Sequence, residues 1–309
     1  MSNSNDIDWN ETIWKEINDA VVVEMGKVRT AQKVFPTTLF DTAPETIPNE
    51  VINFSDLSIK EGQTKQFVEI YHEFSLTATQ VSKEATNKTC KTLARMAAKA
   101  IALAEDAVIF QGQLAKLPAN VKADAIDSAG NGLLSEANPK DADNDNPNKV
   151  STPIEVKFQS NPKPGVLYGE NTFVAVAEGI ARLTAKAQAP KFALFLPVKA
   201  YADTFVPPND ASLVTTAERI KPLVEGGFME TVTLPQDSGL LVALAGDPTS
   251  LYVGQEATTE FVRQEGTKYF FQVMLRMQWV ARDARAFVLL KFEQSSANRV
   301  PTGGRTITA

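Results

Sequence analysis

The first segment of the chain places apolar side chains at spacings of three and four residues. They are Trp9, Ile13, Trp14, Ile17, Ala20 and Val21. This period predicts an amphipathic helix, which Asp6 or Asp8 could cap. We expect the helix to dock on the core of its own chain. Because tryptophan is enriched in buried interface cores, the alternative is a helix that lies against a neighbouring subunit or a partner.

Residues 36–76 have the pattern of an arm made of two strands. Pro36, Pro44 and Pro48 exclude a helix, and residues 51–59 and 67–76 both alternate between apolar and polar positions. A lone two-stranded hairpin is marginally stable in water. We therefore expect the apolar side of this arm to cover a surface elsewhere.

The clearest helix signal covers residues 88–110, where no glycine or proline interrupts a run rich in alanine, leucine, lysine and arginine. Glu105 and Asp106 lie near its C-terminal end, where acids oppose the helix dipole unless a cation pairs with them. We expect the two carboxylates to bind an arginine or backbone amides rather than to form an acid–base pair. Gly112 is predicted to end the helix.

A polar insertion covers residues 113–165. Within it Asp141, Asp143 and Asp145 have the spacing of a calcium-binding loop. Asn146 stands where such a loop needs glycine, and Thr152 stands where it needs an acid. A solvated loop is the preferred interpretation, and a bound ion stays open as the alternative.

A small α/β module is predicted after the insertion. A short strand at 153–158 is followed by a helix that Asn171 could cap. The segments 192–196 and 240–244 are wholly apolar, which is typical of strands buried on both faces.

The last third of the chain is rich in strand patterns. Residues 251–254, 269–280 and 286–292 are expected to be paired strands. Residues 282–285 are expected to form the turn between the last two. The tail, 295–309, is polar.

Composition limits the chemistry. The 309 residues carry a formal net charge of −6 with a pI near 5.1, so no global basic field exists to hold nucleic acid. A single cysteine, Cys90, and a single histidine, His72, exclude an intramolecular disulfide and any metal site with two imidazoles. No Gly-x-Ser-x-Gly elbow or phosphate-binding loop accompanies them. We expect no enzymatic activity, no cofactor and no metal.

The acidic N-terminus is unlike a signal peptide, and no apolar run is long enough to predict a membrane span.

Taken in order, these segments resemble shell proteins of the Hong Kong 97-type capsid fold, which include tailed-phage major capsid proteins and the linocin-like encapsulins. Residues 97–112 carry the resemblance, with the pattern Ala-Ala…Glu-Asp…Ile-Phe-x-Gly. Supporting segments occur in the family's order at Trp14, 67–76, 193–194, 223–227, 251–256 and 269–273.

The resemblance implies an α+β fold with a particular layout. Residues 1–35 would form an N-terminal arm and helix, and 36–76 an extended β-hairpin loop. Residues 77–159 would form the peripheral domain with its long spine helix and the insertion, and 160–249 an axial α/β domain. Residues 250–309 would return to the peripheral sheet and end in a tail.

The resemblance also implies which residues matter. The loop would lie across an adjacent subunit, and Glu105, Asp106 and Gly112 would specify the fold. The candidate contacts with other subunits or partners are Trp9, Ile13, Trp14, Ile52, Phe54, Leu57, Phe67, Ile70 and Phe74.

Two functions follow from the resemblance. The first is a bacteriophage major capsid protein in the virion, assembled in the host cytoplasm from many copies around double-stranded DNA, with portal, scaffold or decoration proteins as further partners. The long insertion and arm favour it. The alternative is a cytoplasmic encapsulin shell, whose N-terminal region would hold the targeting peptide of a cargo enzyme. Neither implies contact with a membrane.

Overall fold

The computed structural model describes residues 7–294 except 43, 55, 61, 161–165 and 208–213. Asp6 and the tail therefore lie outside the described residues. The α-helices are α1 (Glu11–Val28), α2 (Ala78–Ser82), α3 (Glu84–Asn87), α4 (Thr89–Gln111), α5 (Leu133–Glu136), α6 (Glu170–Ala185), α7 (Val198–Asp203) and α8 (Thr216–Ile220). The strands are β1 (Thr37–Leu39), β2 (Thr46–Pro48), β3 (Val51–Asn53), β4 (Ser58–Lys60), β5 (Thr64–Gln66), β6 (Val68–Thr77), β7 (Val121–Asp124), β8 (Ile154–Val156), β9 (Phe192–Pro197), β10 (Gly227–Thr231), β11 (Ser238–Ala243), β12 (Thr249–Glu265), β13 (Lys268–Ala281) and β14 (Phe287–Phe292).

Helix α1 is docked on its own chain, where it packs on α4 and β12. Ile17 and Val21, from the predicted stripe, are buried. The predicted cap Asp8 is wrong, because Asn10 precedes the helix with extended backbone and its side chain accepts a hydrogen bond from the N–H of Ile13 at 3.0 Å.

Helix α4 confirms the predicted long helix and carries the alanines that allow close packing. It ends at Gly112, whose φ of +63° disfavours any residue with a side chain. A Cβ at this position would overlap the carbonyl oxygen of Gly130. The stop is therefore fixed both by backbone conformation and by lack of space.

The first sheet has the strand order β1-β12-β13-β6-β7. All its pairs are antiparallel except β1 with β12. Helix α4 packs against β6 and β13 and separates this sheet from solvent on one face.

The predicted two-stranded arm is wrong in its second strand. Segment 67–76 does not fold back on 51–59, because β6 lies between β13 and β7, with Ile70 opposite both Leu275 and Ala123. Val68, Ile70 and Leu76 are buried in the core of the chain, and Phe74 packs against that core while partly exposed. The alternation predicts that one face of this strand is buried, but it does not identify the surface that covers that face.

The extended loop between β1 and β6 consists of two separate strand pairs. β2 pairs with β5 at its base, and β3 pairs with β4 at its far end, both antiparallel. Next to β2 and β5, the Asn49 N–H donates to the carbonyl of Gln63 at 2.8 Å. The loop thus consists of a base and a distal hairpin.

The second sheet has the order β10-β9-β11-β14-β8 and packs with α6 around a second apolar core. The expected pairing of 286–292 with 269–280 is wrong, since β14 lies between β11 and β8. The apolar run at 287–290, like that of β9, suits a strand that is covered on both faces of the sheet. Helix α6 follows Gly169 rather than a cap at Asn171.

The predicted domain boundaries stay a prediction. β8 and β14 fall outside the range 160–249 but belong to the second sheet, so divisions at 160 and 249 would cut that sheet. Within the described residues, no helix combines the length and apolar character needed to cross a membrane.

Candidate functional site

A buried ion cluster joins the end of α1 to α4 and β12. Arg29 donates from Nε to Glu105 Oε2 and from Nη2 to Glu256 Oε1, each at 2.7 Å. Gln32 Nε2 donates to the other oxygen of Glu105 at 2.6 Å. The side chains of Arg29 and Glu105 are 7% and 1% exposed, so solvent does not screen this pair.

Asp106 binds the chain that leaves α1. Its Oδ2 accepts from the N–H and the hydroxyl of Thr30 at 2.8 and 2.7 Å, and its Oδ1 accepts from the Ala31 N–H at 3.0 Å. The sequence predicts an arginine or backbone amides as the partners of this pair, and the structure uses both: Glu105 binds Arg29, and Asp106 binds the backbone amides of Thr30 and Ala31. Together they form a joint between the N-terminal segment and the long helix.

Burial dominates the electrostatics of this joint. Desolvation raises the pKa of Glu105 to about 7, although Arg29 acts in the opposite direction. Desolvation likewise raises the pKa of Asp106 against the hydrogen bonds from Ala31 and Thr30. Burial works to lower the pKa of Arg29, but Glu105 and Glu256 together raise it. The joint is a structural ion cluster, and a surface cavity of about 540 Å³ borders it at Thr30 and Asp106.

The predicted contact residues of the N-terminal helix lie on its own sheet. The Trp9 ring stacks on Phe271 with centroids 5.3 Å apart, and its Nε1 donates to the carbonyl of Val81 at 2.9 Å. Trp14 packs on Trp9 at 5.1 Å. Trp9 and Ile13 remain partly exposed and line a surface groove of about 560 Å³ that also involves Ile7, Ala78 and Tyr269.

Two of the predicted arm contacts offer no side-chain surface to a neighbour. Phe67 is 1% exposed and packs with Ile47 and Val280, and Ile70 is fully buried in the main core. Both belong to the body of the chain because β6 is a sheet strand, and this removes them from the candidate contacts. Phe74 is half-buried and stacks on Phe271 at 5.8 Å.

The base of the loop is fixed to the body. Ile47 of β2 is 1% exposed against Phe67. Lys65 of β5 donates from Nζ to the carbonyl of Trp279 at 3.1 Å and lies 4.3 Å from the centroid of that indole. Burial lowers the pKa of Lys65 to about 8. Burial of apolar and charged groups here holds the loop's base in place.

The distal hairpin exposes apolar side chains. Leu57 is 82% exposed and Ile59 52% exposed, and Val51 lies on the same hairpin with 37% exposed. Ile52 and Phe54 are half-buried. In a single copy, apolar surface at the end of a projecting loop has nothing to cover it, which is typical of an interaction site.

Other exposed apolar residues are not among the predicted contacts. They include Val22, Val23, Met96, Leu114, Val174 and Val232. The run of three valines at 21–23 is a signal that could have been used, because a single helix face buries only one or two of three consecutive residues.

The residues that could carry catalysis are isolated. His72 is half-buried in β6, and its Nδ1 has no hydrogen-bond partner within the described residues. Cys90 is buried in α4, and desolvation raises the pKa of its thiol, so the thiolate is disfavoured. Nothing in the described part of the chain unites these side chains in one cavity.

The acidic loop in the insertion is closed by a lysine. Lys186 is 1% exposed, and its Nζ donates to the carbonyls of Asp143 and Asn146 at 2.8 Å each. Asp141 lies 3.6 Å from the ammonium of Lys149. Among the described residues, no group of three or more His, Cys, Asp and Glu side chains is arranged to hold a metal ion.

Comparison with family models gives one match. The linocin M18 model, described as an encapsulating protein for peroxidase, matches residues 156–277, which is less than half of the chain. No curated protein matches the sequence.

Comparison with solved structures extends over nearly the whole chain. A virus-like particle from Pyrococcus furiosus is similar with a TM-score of 0.63 at 17% identity, covering 91% of this chain and all of that chain. The capsid of Myoviridae phage XM1 gives 0.53 at 13% identity, covering 86% and 92%. The capsid of an empty GTA particle gives 0.56 at 13%, covering 86% and 97%. At such identities the likeness shows a shared fold.

Proposed function

We propose, from the Hong Kong 97-type capsid fold of this chain, that it is a structural subunit that assembles with many copies of itself into a closed icosahedral shell. The observation that carries the proposal is the extent of the fold match, which covers 91% of this chain and the full length of a particle-forming one. Assembly of this kind requires no covalent chemistry.

The mechanism is burial of apolar surface between copies. Covering Leu57 and Ile59 would stabilise each contact by roughly 2–4 kcal/mol, at about 1.5–3 kcal/mol for a fully buried aliphatic side chain that starts exposed. A single contact of that size is weak. In a closed symmetric assembly every copy makes it, so that the contacts add up.

The test is the chain expressed alone and viewed by negative-stain microscopy. We expect uniform closed shells from the wild-type chain and their loss in the variant Leu57→Lys. The matched control is Leu114→Lys, which adds the same charge at another exposed leucine, 74% exposed, outside the loop. Equal assembly of the two variants would contradict the role given to the hairpin.

Packaged double-stranded DNA is the first candidate for the contents, as in a tailed-phage virion. It is supported by the fold shared with the capsid of phage XM1 and by the net charge of −6, which suits a container that must release a polyanion. Particles from the natural source should then contain nuclease-protected DNA, and portal or scaffold proteins should accompany them. Empty particles free of nucleic acid would contradict this candidate.

A cargo enzyme in a cytoplasmic encapsulin shell is the second candidate. The match of residues 156–277 to an encapsulating protein for peroxidase favours it. So does the groove beside Trp9 and Ile13, because the resemblance implies that the N-terminal region would hold a targeting peptide. Mass spectrometry of natural particles should then find one enzyme as a constant companion, encoded near this chain.

A further inference from the structure

A surface groove runs between helix α4 and the chain that connects β10 to β11. It consists of the cavity of about 540 Å³ that borders the joint and a second cavity of about 410 Å³. Leu103 of α4 and Val232, which follows β10, line both cavities, so the two adjoin there. Val232 is 61% exposed. Apolar surface at the middle of the groove is therefore uncovered in a single chain.

The cavity at the joint combines aromatic rings with a carboxylate. The rings of Tyr201 and Phe228 have centroids 4.8 Å apart and an interplanar angle of 42°. Burial, with a contribution from the nearby charge of Glu230, raises the pKa of Tyr201. Aromatic faces and a carboxylate are groups that attract a guanidinium or an ammonium ion.

The other charged groups that line this cavity already have partners. Lys27 Nζ lies 3.1 Å from Glu24 Oε2, and Lys33 Nζ donates to the carbonyl of Lys27 at 3.1 Å. Asp106 accepts the three hydrogen bonds of the joint. Glu230 makes no ion pair within the described part of the chain. It is therefore the charged side chain that the cavity can offer to a ligand, and that ligand would be a cation.

The described chain ends beside this groove. Gln294, the residue before the tail, donates from Nε2 to the carbonyl of Gln236 at 3.2 Å, and Gln236 lines the 410 Å³ cavity. Six residues along the chain separate Gln236 from Glu230, so the two are at most about 22 Å apart. Arg305 follows Gln294 by eleven residues, which span about 36 Å when extended and can reach Glu230 along the groove. Arg299 follows by five residues, which span only about 17 Å.

We propose that the tail, residues 295–309, binds in this groove of its own chain. Val300 covers Val232 at the middle of the groove, and Arg305 pairs with Glu230 in the cavity at the joint. A segment tethered beside its site has a high effective concentration there, which favours the chain's own tail over the tail of a second copy. The tail would fasten the second sheet, which it leaves after β14, to the joint between α1 and α4. Because the contact lies within one chain, it can form whether or not shells assemble.

The first experiment pairs Val300→Cys in the tail with Val232→Cys in the groove, in the intact chain below the concentration at which it assembles. A short bifunctional thiol reagent is added, and the joined peptides are identified by mass spectrometry. The native Cys90 is 0% exposed and does not compete for the reagent. The matched control combines Val300→Cys with Val174→Cys, at a valine that is 57% exposed and lines neither cavity. We expect the internal crosslink to form roughly tenfold faster at 232 than at 174, because docking raises the effective concentration of the paired thiols.

Trypsin cleavage after Arg305 gives a second readout, because a docked arginine is shielded from the protease. Glu230→Gln removes the charge that pairs with it. The variant should speed this cleavage roughly two- to fivefold, as expected for an ion pair that solvent can reach. The matched control is Glu225→Gln, at an exposed acid that lines neither cavity, and it should leave the rate unchanged.

The contrary results are distinct. Equal crosslinking at 232 and 174 would show that the groove does not hold the tail. Crosslinks that join two chains would assign the groove to the tail of a second copy and overturn binding within one chain. Cleavage after Arg305 at the same rate in wild type and Glu230→Gln would refute the pairing of these two residues. Since all measurements use unassembled chains, a failure to form shells would contradict the proposed function and leave the binding of the tail intact.

Discussion

Replacing Asp106 by asparagine tests the joint between α1 and α4. The carboxylate accepts two hydrogen bonds from Thr30 and one from the Ala31 N–H, at 2.7 to 3.0 Å. Asparagine has a similar shape but a single acceptor oxygen, so its NH₂ group must face at least one of these donors. Each buried donor left unpaired costs about 1–3 kcal/mol. Loss of a buried charge, whose desolvation raises the pKa of Asp106, offsets part of that cost.

We therefore expect Asp106→Asn to lower the free energy of unfolding by about 2–3 kcal/mol. Urea unfolding of the subunit, below the concentration at which it assembles, measures the change. The matched control is Asp19→Asn on α1, whose side chain is 64% exposed and pairs with Lys15, and which should cost about 0.5 kcal/mol or less. If the two variants unfold at the same urea concentration, the hydrogen bonds of Asp106 do not stabilise the fold as predicted.

The other predictions concern Glu105 of the same joint and two glycines outside it. Burial raises the pKa of Glu105 from 4.5 to about 7, so the folded state binds the proton more tightly than the unfolded one. The contribution of this protonation to the free energy of unfolding is fully present below the pKa that Glu105 has in the unfolded state. It falls by about 3 kcal/mol as pH rises through 7. Glu105→Gln should remove this slope from a urea series at several pH values, and parallel profiles would contradict the assignment. Gly112→Ala should cost about 3 kcal/mol or more, because a Cβ would overlap Gly130 as well as strain the backbone. Gly62→Ala, where φ is +82° and nothing lies within 4 Å, should cost about 1–2 kcal/mol, and equal losses would refute the steric argument.

Periodicity predicted the elements better than their partners. The helices at 9–21 and 88–110 were recognisable because each buries one stripe of a regular helix. Segment 67–76 alternates equally well in an arm or in a sheet, since alternation reports burial of one face and not what covers it. The pairing of β14 with β11 and β8 was missed for a similar reason, because neither neighbour precedes it directly in the chain.

Contacts between distant parts of the chain were beyond a single sequence. The position of Glu105 and Asp106 at a helix end indicates that they need a cation or backbone amides. The sequence does not identify these partners as Arg29, Thr30 and Ala31, because 75 or more residues separate each of them from its carboxylate. The sequence predicts only a turn at 282–285, because nothing local in it marks Arg285 as the residue that packs on the Phe54 ring.

Sedimentation of the intact chain beside a loop-excised chain tests self-assembly most directly. Replacing residues 49–63 by an Asn-Gly turn would join β2 to β5, where Pro48 and Thr64 are already opposite each other. The account predicts that the intact chain sediments as one species many times heavier than its 33.6 kDa, while the excised chain stays folded and sediments as single copies. Intact chains that remain single at every salt concentration and pH, or excised chains that form the same heavy species, would contradict it.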